Sequence, residues 1–508
     1  MTLIRKKMAG ALAGIFVCAA LTVLAAPGLS MAITAGEEEK IAEKFLKIVK
    51  AHFEIIDDPF IADYISGTGN KILSTFPKKA FDYHFYVIKE NSYNAFAMPA
   101  GHIFINSGLI AAMENENELA GILSHEIAHV QLRHISQSIE RGSKVSLLTA
   151  AGLLAGIFLG PGMGAAASNA LAVGSLAAGH SIMLAHSREH EVQADQIGLK
   201  YLMKAGYSGA GLLTILKKMR DKTWFGPDHI PVYLTTHPAV KDRMAYIETQ
   251  MKRRPVLKTR PDHPDFEKAK TRIAALYGDA RLALNRFKND TRKDPQNPMA
   301  LYGYGLALAE SGQNAQAEGF FLKALGERPF EPDILTDLGR VYYLQGDYGQ
   351  ALSALEGALA IRPGHIQALF FLARTRMAMK DYDAALDAVE TVADRRPDYQ
   401  NVLYLLGKTH GKKGDMGNAH YWLGLHHRKK EEWKTAIFHL KRALAGDFSA
   451  AKKEKIQKMI ADASKKKRER ERELEEEEER KKYQTWSKQR NFMVKVPRPW
   501  VADRRDVE

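Results

Sequence analysis

Pro295, Pro329, Pro363 and Pro397 stand 34 residues apart each time, and this period constrains the fold more than any other feature of the chain. Ala283, Ala317, Ala351, Ala385 and Ala419 keep the same step. So do Gly305, Gly339 and Gly407, with Ala373 filling the slot between the last two. Side chains no larger than a methyl at fixed places let two helices approach closely, and a proline that cannot continue a helix marks the turn between units. The three series predict stacked helix pairs, an α-solenoid with a concave face, in which each unit borrows its core from its neighbours. A further unit, Leu423-Gly424 through Trp433, Ala436 and Ala443, fits the pattern out of phase, and an irregular helix is expected to intervene there.

A 34-residue helix pair of this composition carries the tetratricopeptide pattern, which we place over residues 267–446. The 508-residue chain has room for a second domain with its own core, and 45% hydrophobic with 26% charged residues is ordinary for a globular protein. The net charge of +14 favours anionic surfaces. Three of those charges, Arg5, Lys6 and Lys7, open the chain. An apolar run over 8–26, the breaker Pro27-Gly28 and the small-residue site Ser30-Met31-Ala32 follow them. That is the order of a secretory signal peptide over 1–32, with an uncleaved anchor as the alternative. Cys18, the only cysteine, lies inside the run, so the chain beyond it has no thiol. It forms no disulfide, and a metal site in it must use histidines and carboxylates.

Residues 37–73 read as helical, 83–88 and 102–106 alternate like short strands, and 94–101 reads as a strand closed by a Pro/Gly turn. A helix is expected over 114–138. The stretch 145–184 is apolar, rich in Ala and Gly, and cut by Gly160-Pro161-Gly162 into halves too short to span a bilayer. It reads as a hairpin over the active site or as a membrane-contacting element. A linker with Pro255, Pro261 and Pro264 is placed over 252–266, and a Lys/Arg/Glu-rich tail, a solvated helix or a disordered segment, over 447–508.

The chemistry centres on His125-Glu126-Ile127-Ala128-His129. Residues i and i+4 of a helix share a face, so both imidazoles reach one ion, while Glu126 stands where it can take a proton from a metal-activated water. A third ligand is needed. Leu132 and Ile135 occupy the places where a longer motif would carry Gly and a third His, so a downstream carboxylate is required, and Glu189, Glu191 and Asp195 offer candidates.

His-Glu-Ile-Ala-His together with Glu191-Val192-Gln193-Ala194-Asp195 resembles the M48 family of zinc peptidases. The resemblance implies a mainly α protein, a zincin-like α+β metallopeptidase domain over 33–251 followed by the solenoid of repeats. It implies one Zn²⁺ held by His125, His129 and Glu191, with Asp195 orienting a ligand histidine. Asn94, Ala95 and Phe96 resemble the family's substrate-pairing edge strand, with Pro99-Ala100-Gly101 where the family usually has Pro-Gly-Gly. His237-Pro238 and Arg243 resemble its third motif: His237 either stabilises the oxyanion or latches the zinc, and Arg243 either stabilises transition-state charge or forms a structural ion pair. His134 and His190 are expected to be structural or solvent-facing. The resemblance extends to a periplasmic branch of the family in which repeats follow the peptidase, which implies outer-membrane protein substrates, their assembly machinery as partners, and peripheral membrane contact. The basic residues are scattered and not interleaved with aromatics, so no nucleic-acid partner is expected.

Overall fold

A computed structural model describes residues 33–141, 147–158, 187–222, 231–253, 262–399 and 401–494. The leader over 1–32 with Cys18, most of the stretch 145–184, most of the linker 252–266 and the tail residues 497–500 lie outside them. The chain forms two compact units, Met1–Glu327 and Arg328–Glu508.

Helix α1 (Ala35–His52) opens on a reciprocal cap: the Thr34 hydroxyl accepts from the Glu37 amide, and the Glu37 carboxylate reaches back to the Thr34 amide. Its buried face recurs at helical spacing through Ile41, Phe45 and Val49. Asp58 caps α2 (Pro59–Leu73), which carries proline at a position needing no amide hydrogen. The helical stretch read over 37–73 is therefore two helices, separated where Ile55 bridges to Ile88.

Strands β1 (His84–Ile88), β2 (Ala95–Met98) and β3 (His102–Asn106) form a sheet of order β1-β3-β2, with β3 parallel to β1 and antiparallel to β2. The turn from β2 to β3 needs left-handed backbone at Ala100 (φ 58°) and Gly101 (φ 87°). A Cβ at 101 would lie 2.1 Å from the Asp82 carbonyl oxygen, so glycine is required there. Ala100 accepts a conformation that costs about 1 kcal/mol for an L-residue.

After α3 (Ser107–Ala112) comes α4 (Glu116–Gln131), then α5 (His134–Arg141) and α6 (Leu147–Phe158). The single helix expected over 114–138 is broken at Leu132 and Arg133, where Arg133 has φ 56°. Helix α6 packs on α1, and its Phe158 ring stacks on Phe96 of β2 at 5.2 Å. Among the described residues no helix is long and apolar enough to cross a membrane. Helices α7 (Arg188–Lys204), α8 (Ala210–Lys222), α9 (Val232–Thr236) and α10 (Val240–Lys252) complete this layer.

Helix α11 (Pro264–Arg272) passes through a wide turn at Ile273–Tyr277 into α12 (Ala280–Lys293), α13 (Pro298–Glu310) and α14 (Asn314–Glu327). These belong to the first compact unit, which thus includes the start of the repeat stretch placed from 267. The reason is a shared interior: Phe266 and Ile273 join the core of Ile61, Leu119 and Ile122, and buried Arg272 pairs with Asp58 at 2.7 Å and donates to the Tyr302 hydroxyl.

The second unit runs through α15 (Pro332–Gln345), α16 (Tyr348–Ile361), α17 (Ile366–Ala378), α18 (Tyr382–Arg395), α19 (Val402–Lys413), α20 (Met416–Lys429) and α21 (Trp433–Ala443) to α22 (Ala450–Val494). The small residues sit where helices touch. A Cβ on Gly339 would meet Leu355 at 2.7 Å, one on Gly407 would meet Leu423 at 2.8 Å, and Ala351, Ala385 and Ala419 are buried. The out-of-phase unit needs no intervening helix. A Cβ on Gly424 would meet Leu440 at 2.7 Å, so α20 serves as second helix to α19 through Leu423 and as first helix to α21 through Gly424.

Candidate metal centre

Helix α4 starts where Asn115 accepts from the Glu118 amide, with Glu116 and Glu118 in its first turn. Two contacts place its later turns. Gly121 lets the α8 backbone in, since a Cβ there would lie 2.8 Å from the Leu212 nitrogen. Gly198 brings α7 across, a Cβ there lying 3.1 Å from the Ser124 carbonyl, while the Ser124 hydroxyl donates to the Gly198 carbonyl at 2.7 Å. That crossing lays Glu191 and Asp195 of α7 over His125.

His125, His129, Glu191 and His237 each offer a ligand atom, all within 4.8 Å of one another, and all four side chains are buried. Nε2 of His125 and Nε2 of His129 are 2.9 Å apart, and Glu191 oxygens lie 3.4 Å from each. The remaining nitrogens face outward: His125 Nδ1 is 2.9 Å from Asp195 Oδ1, and His129 Nδ1 is 2.9 Å from His134 Nδ1. When Nδ1 of each histidine donates its hydrogen outward, two lone pairs and a carboxylate meet at the centre. Only a cation makes that arrangement favourable. With only protons available, burial and Arg243 push the His125 pKa down, but Asp195 and Glu191 outweigh them and raise it to about 9. The site thus draws in positive charge, and its nitrogen and carboxylate donors fit a divalent metal ion.

Glu126 lies beside the cluster, fully buried, with no hydrogen-bond partner on either oxygen. Burial pushes its pKa up. Burial acts the same way on Glu191, but the Arg243 guanidinium and His237 outweigh it and hold that carboxyl well below its usual range. Arg243 is 1% exposed, reaches Glu191 Oε2 at 2.7 Å and grips Asp195 through Nε at 2.8 Å and Nη2 at 2.9 Å. His237 follows α9, with Nδ1 3.1 Å from Glu191 Oε1 and Nε2 3.8 Å from Glu126 Oε1.

Of the other residues singled out by sequence, Glu189 is exposed and outside the cluster. Asn94, Ala95 and Phe96 are buried, with the Asn94 amide donating to the Phe158 carbonyl at 2.5 Å, so α6 covers the edge strand. His134 and His190 are not solvent-facing: they are 0% and 2% exposed and stack at 4.2 Å. Burial, aided by His190, lowers His134 to about 4 and keeps it neutral. Tyr233 was missed; its ring stacks on His237 at 4.3 Å and its buried hydroxyl has no hydrogen-bond partner. The one signal for it is its spacing, four residues before His237 on a short helix.

Residues 69–251 match peptidase family M48, and residues 277–332 and 342–409 match tetratricopeptide repeats. The chain is 27% identical over 319 residues to the beta-barrel assembly-enhancing protease of Escherichia coli K12, covering 61% of this chain and 62% of that one. It is 29% identical over 316 residues to a Vibrio cholerae protein carrying the same name provisionally, covering 60% and 64%. Over 190 residues it is 28% identical to the mitochondrial metalloendopeptidase OMA1 of Arabidopsis thaliana, covering 37% and 36%. The alignments thus span 62–64% of the length of the first two relatives. The histidine-carboxylate cluster lies inside the matched segment, and the chain carries a peptidase family M48 domain followed by tetratricopeptide repeats.

Proposed function

We propose that the protein is a zinc-dependent endopeptidase of the cell envelope that cleaves unfolded or misassembled outer-membrane proteins, its repeats recruiting substrates or the assembly machinery. The observation that carries the reading is the meeting of His125 Nε2, His129 Nε2 and Glu191 in a buried cluster beside the unbonded carboxylate of Glu126. His125, His129 and Glu191 would hold the ion. Zinc held there would supply Lewis acidity for the scissile carbonyl and for a water near neutral pH.

The chain's own groups do the rest. Glu126 takes the water's proton, which its upward-shifted pKa favours, and passes it to the leaving amine. Asp195 orients His125, and Arg243 keeps Glu191 and Asp195 ionised, which the observed ion pairs support over a direct role on the substrate. His237 closes the site at rest and turns away to admit water and substrate. An extended polypeptide pairs along 94–98 once α6 shifts from Phe96, since backbone pairing accepts many sequences. The leader-like 1–32 and the relatives named for β-barrel assembly support a periplasmic location and envelope partners, with peripheral membrane contact through 145–184.

Glu126→Gln should bind zinc and fail to cleave casein; cleavage by that variant at the wild-type rate overturns the scheme. A second reading, a repeat scaffold whose metal site is latent, is favoured by the 0–1% exposure of all five centre residues. Full rescue of barrel assembly by Glu126→Gln in cells would select it.

A further inference from the structure

The two histidines of the motif are held by different chemistry. His125 gives its Nδ1 to a carboxylate, Asp195 Oδ1 at 2.9 Å, the common arrangement for a zinc-binding imidazole. His129 has a third histidine in that place. His134 Nδ1 lies 2.9 Å from His129 Nδ1, and His134 Nε2 lies 3.1 Å from Gln193 Oε1. A carbonyl oxygen only accepts, so Nε2 of His134 carries the hydrogen. Two ring nitrogens 2.9 Å apart share a single hydrogen, and with His134 anchored through Nε2–H its Nδ1 lone pair accepts the one that His129 donates from its own Nδ1. The result is a lone pair on His129 Nε2, the nitrogen that faces His125 Nε2 at 2.9 Å.

The backbone is bent to make this contact. Helix α4 ends at Gln131, and Arg133 adopts φ 56°, a conformation unfavourable for a residue that carries a Cβ. That left-handed residue returns the chain so that His134, five positions after His129, comes back onto its ring. Its strain is offset by Arg133 itself, whose guanidinium pairs with the buried Glu38 at 2.6 Å and donates to the Ile33 carbonyl. His190 stacks on His134 at 4.2 Å with the planes 7° apart, which fixes the ring's orientation.

We propose that His134, anchored by Gln193 and stacked on His190, is a positioning residue for the metal site: it selects the tautomer of His129 that presents Nε2 to the ion. The inference rests on the metal-centre reading above. Because the partner of His129 is an imidazole and not a carboxylate, it makes His129 a ligand without adding a fourth acidic group to a pocket that already holds Glu126, Glu191 and Asp195.

The test is zinc affinity of the full chain, measured by chelator competition after stripping and reloading. His134→Phe keeps the ring stack and removes the acceptor; it should weaken zinc binding about 10- to 100-fold. His134→Asn places an amide oxygen near the lost Nδ1 and should recover most of that loss. Gln193→Leu frees the His134 tautomer and should weaken binding several-fold, while Gln193→Glu should not. Unchanged affinity in folded His134→Phe overturns the proposal, as does His134→Asn binding no better than the Phe variant. If His134→Phe fails to fold, the Asn and Gln193 variants decide alone, and equal affinity in Gln193→Leu and wild type overturns it. A wild-type chain that binds no zinc sinks the metal-centre reading instead, which keeps the two failures apart.

Discussion

The repeats and the metal centre both bring helices into close contact, and they do so with opposite chemistry. In the second unit Gly339 lies under Leu355 and Gly407 under Leu423, apolar surface against apolar surface. At the centre α4 and α7 also cross on glycine, at Gly198, but what gathers there is three carboxylates, three imidazoles and one guanidinium, all 0–1% exposed. Apolar fit is local and forgiving in small steps. A buried charge cluster stands or falls as a set, because removing one member leaves its partners charged and dry. The difference teaches where stability depends on the metal and where it does not.

The largest effect is expected at Arg243, which pairs with both Glu191 and Asp195. Arg243→Met keeps the volume and strands two carboxylates, a loss of about 3–5 kcal/mol of stability in the metal-free protein. Saturating zinc should narrow that gap, since a divalent ion beside Glu191 replaces part of the lost charge. Urea unfolding of both forms checks it, and a metal-free variant as stable as wild type would erase the contrast drawn above. In the repeats, Gly339→Ala pushes a methyl to 2.7 Å from Leu355 and should cost about 1–3 kcal/mol, with or without zinc. Leu355→Ala in the same chain should recover part of that cost, a coupling that independent sites would not give.

This contrast also decides what was legible in the sequence. The repeats were visible because one physical demand, a small residue at each helix crossing, recurs every 34 residues. Even their irregularity was visible, although its cause was not: Leu423 and Gly424 are neighbours on α20 that face different partners, which a linear pattern reads as a slipped phase. At the centre, His125, Glu126 and His129 share one helix turn and stand out, and Glu191 with Asp195 form a second local pattern. His134 and Gln193 escaped because their roles need a broken helix. Read as continuous over 114–138, α4 would send position 134 away from position 129, and only the left-handed Arg133 brings it back. That α11 to α14 pack with the first unit was equally hidden, since contacts such as Arg272 to Asp58 at 2.7 Å join residues 214 apart in sequence.

Acid sensitivity sharpens the comparison further, because it is not confined to the metal centre. Burial, reinforced by His420, His427 and Arg442, lowers His439 of α21 to about 4. An unfolded histidine titrates near 6.5, so the folded repeats bind fewer protons between those values. Stability is then present above pH 6.5 and is lost as pH falls toward 4. One full proton of difference would give a slope of about 1.4 kcal/mol per pH unit, and partly exposed His439 should give less. His439→Gln should flatten the fall in melting temperature between pH 6.5 and 4.5, in zinc and in chelator alike. A slope that vanishes on adding zinc would place the acid sensitivity at the centre instead.

The smallest effects are expected where neither chemistry operates. Helix α22 docks its first turns through Ile456, Met459 and Ile460 against Tyr421, Leu440 and Ala443. Further along it carries exposed pairs four residues apart, Lys465–Glu469 at 3.8 Å and Lys467–Glu471 at 3.1 Å, and near its start Lys458–Glu454 at 2.7 Å. Such pairs are each worth about 0.2–0.5 kcal/mol and are screened by salt. Orientation separates them. Glu454 precedes its lysine, the order that favours the helix dipole, whereas Glu469 and Glu471 follow theirs. Glu454→Gln should therefore lower helicity more than Glu471→Gln at low salt, and high salt should remove the difference. Circular dichroism at 222 nm reads both. Equal losses at low salt would mean that the docked turns, and not the charge pairs, set the order of this helix.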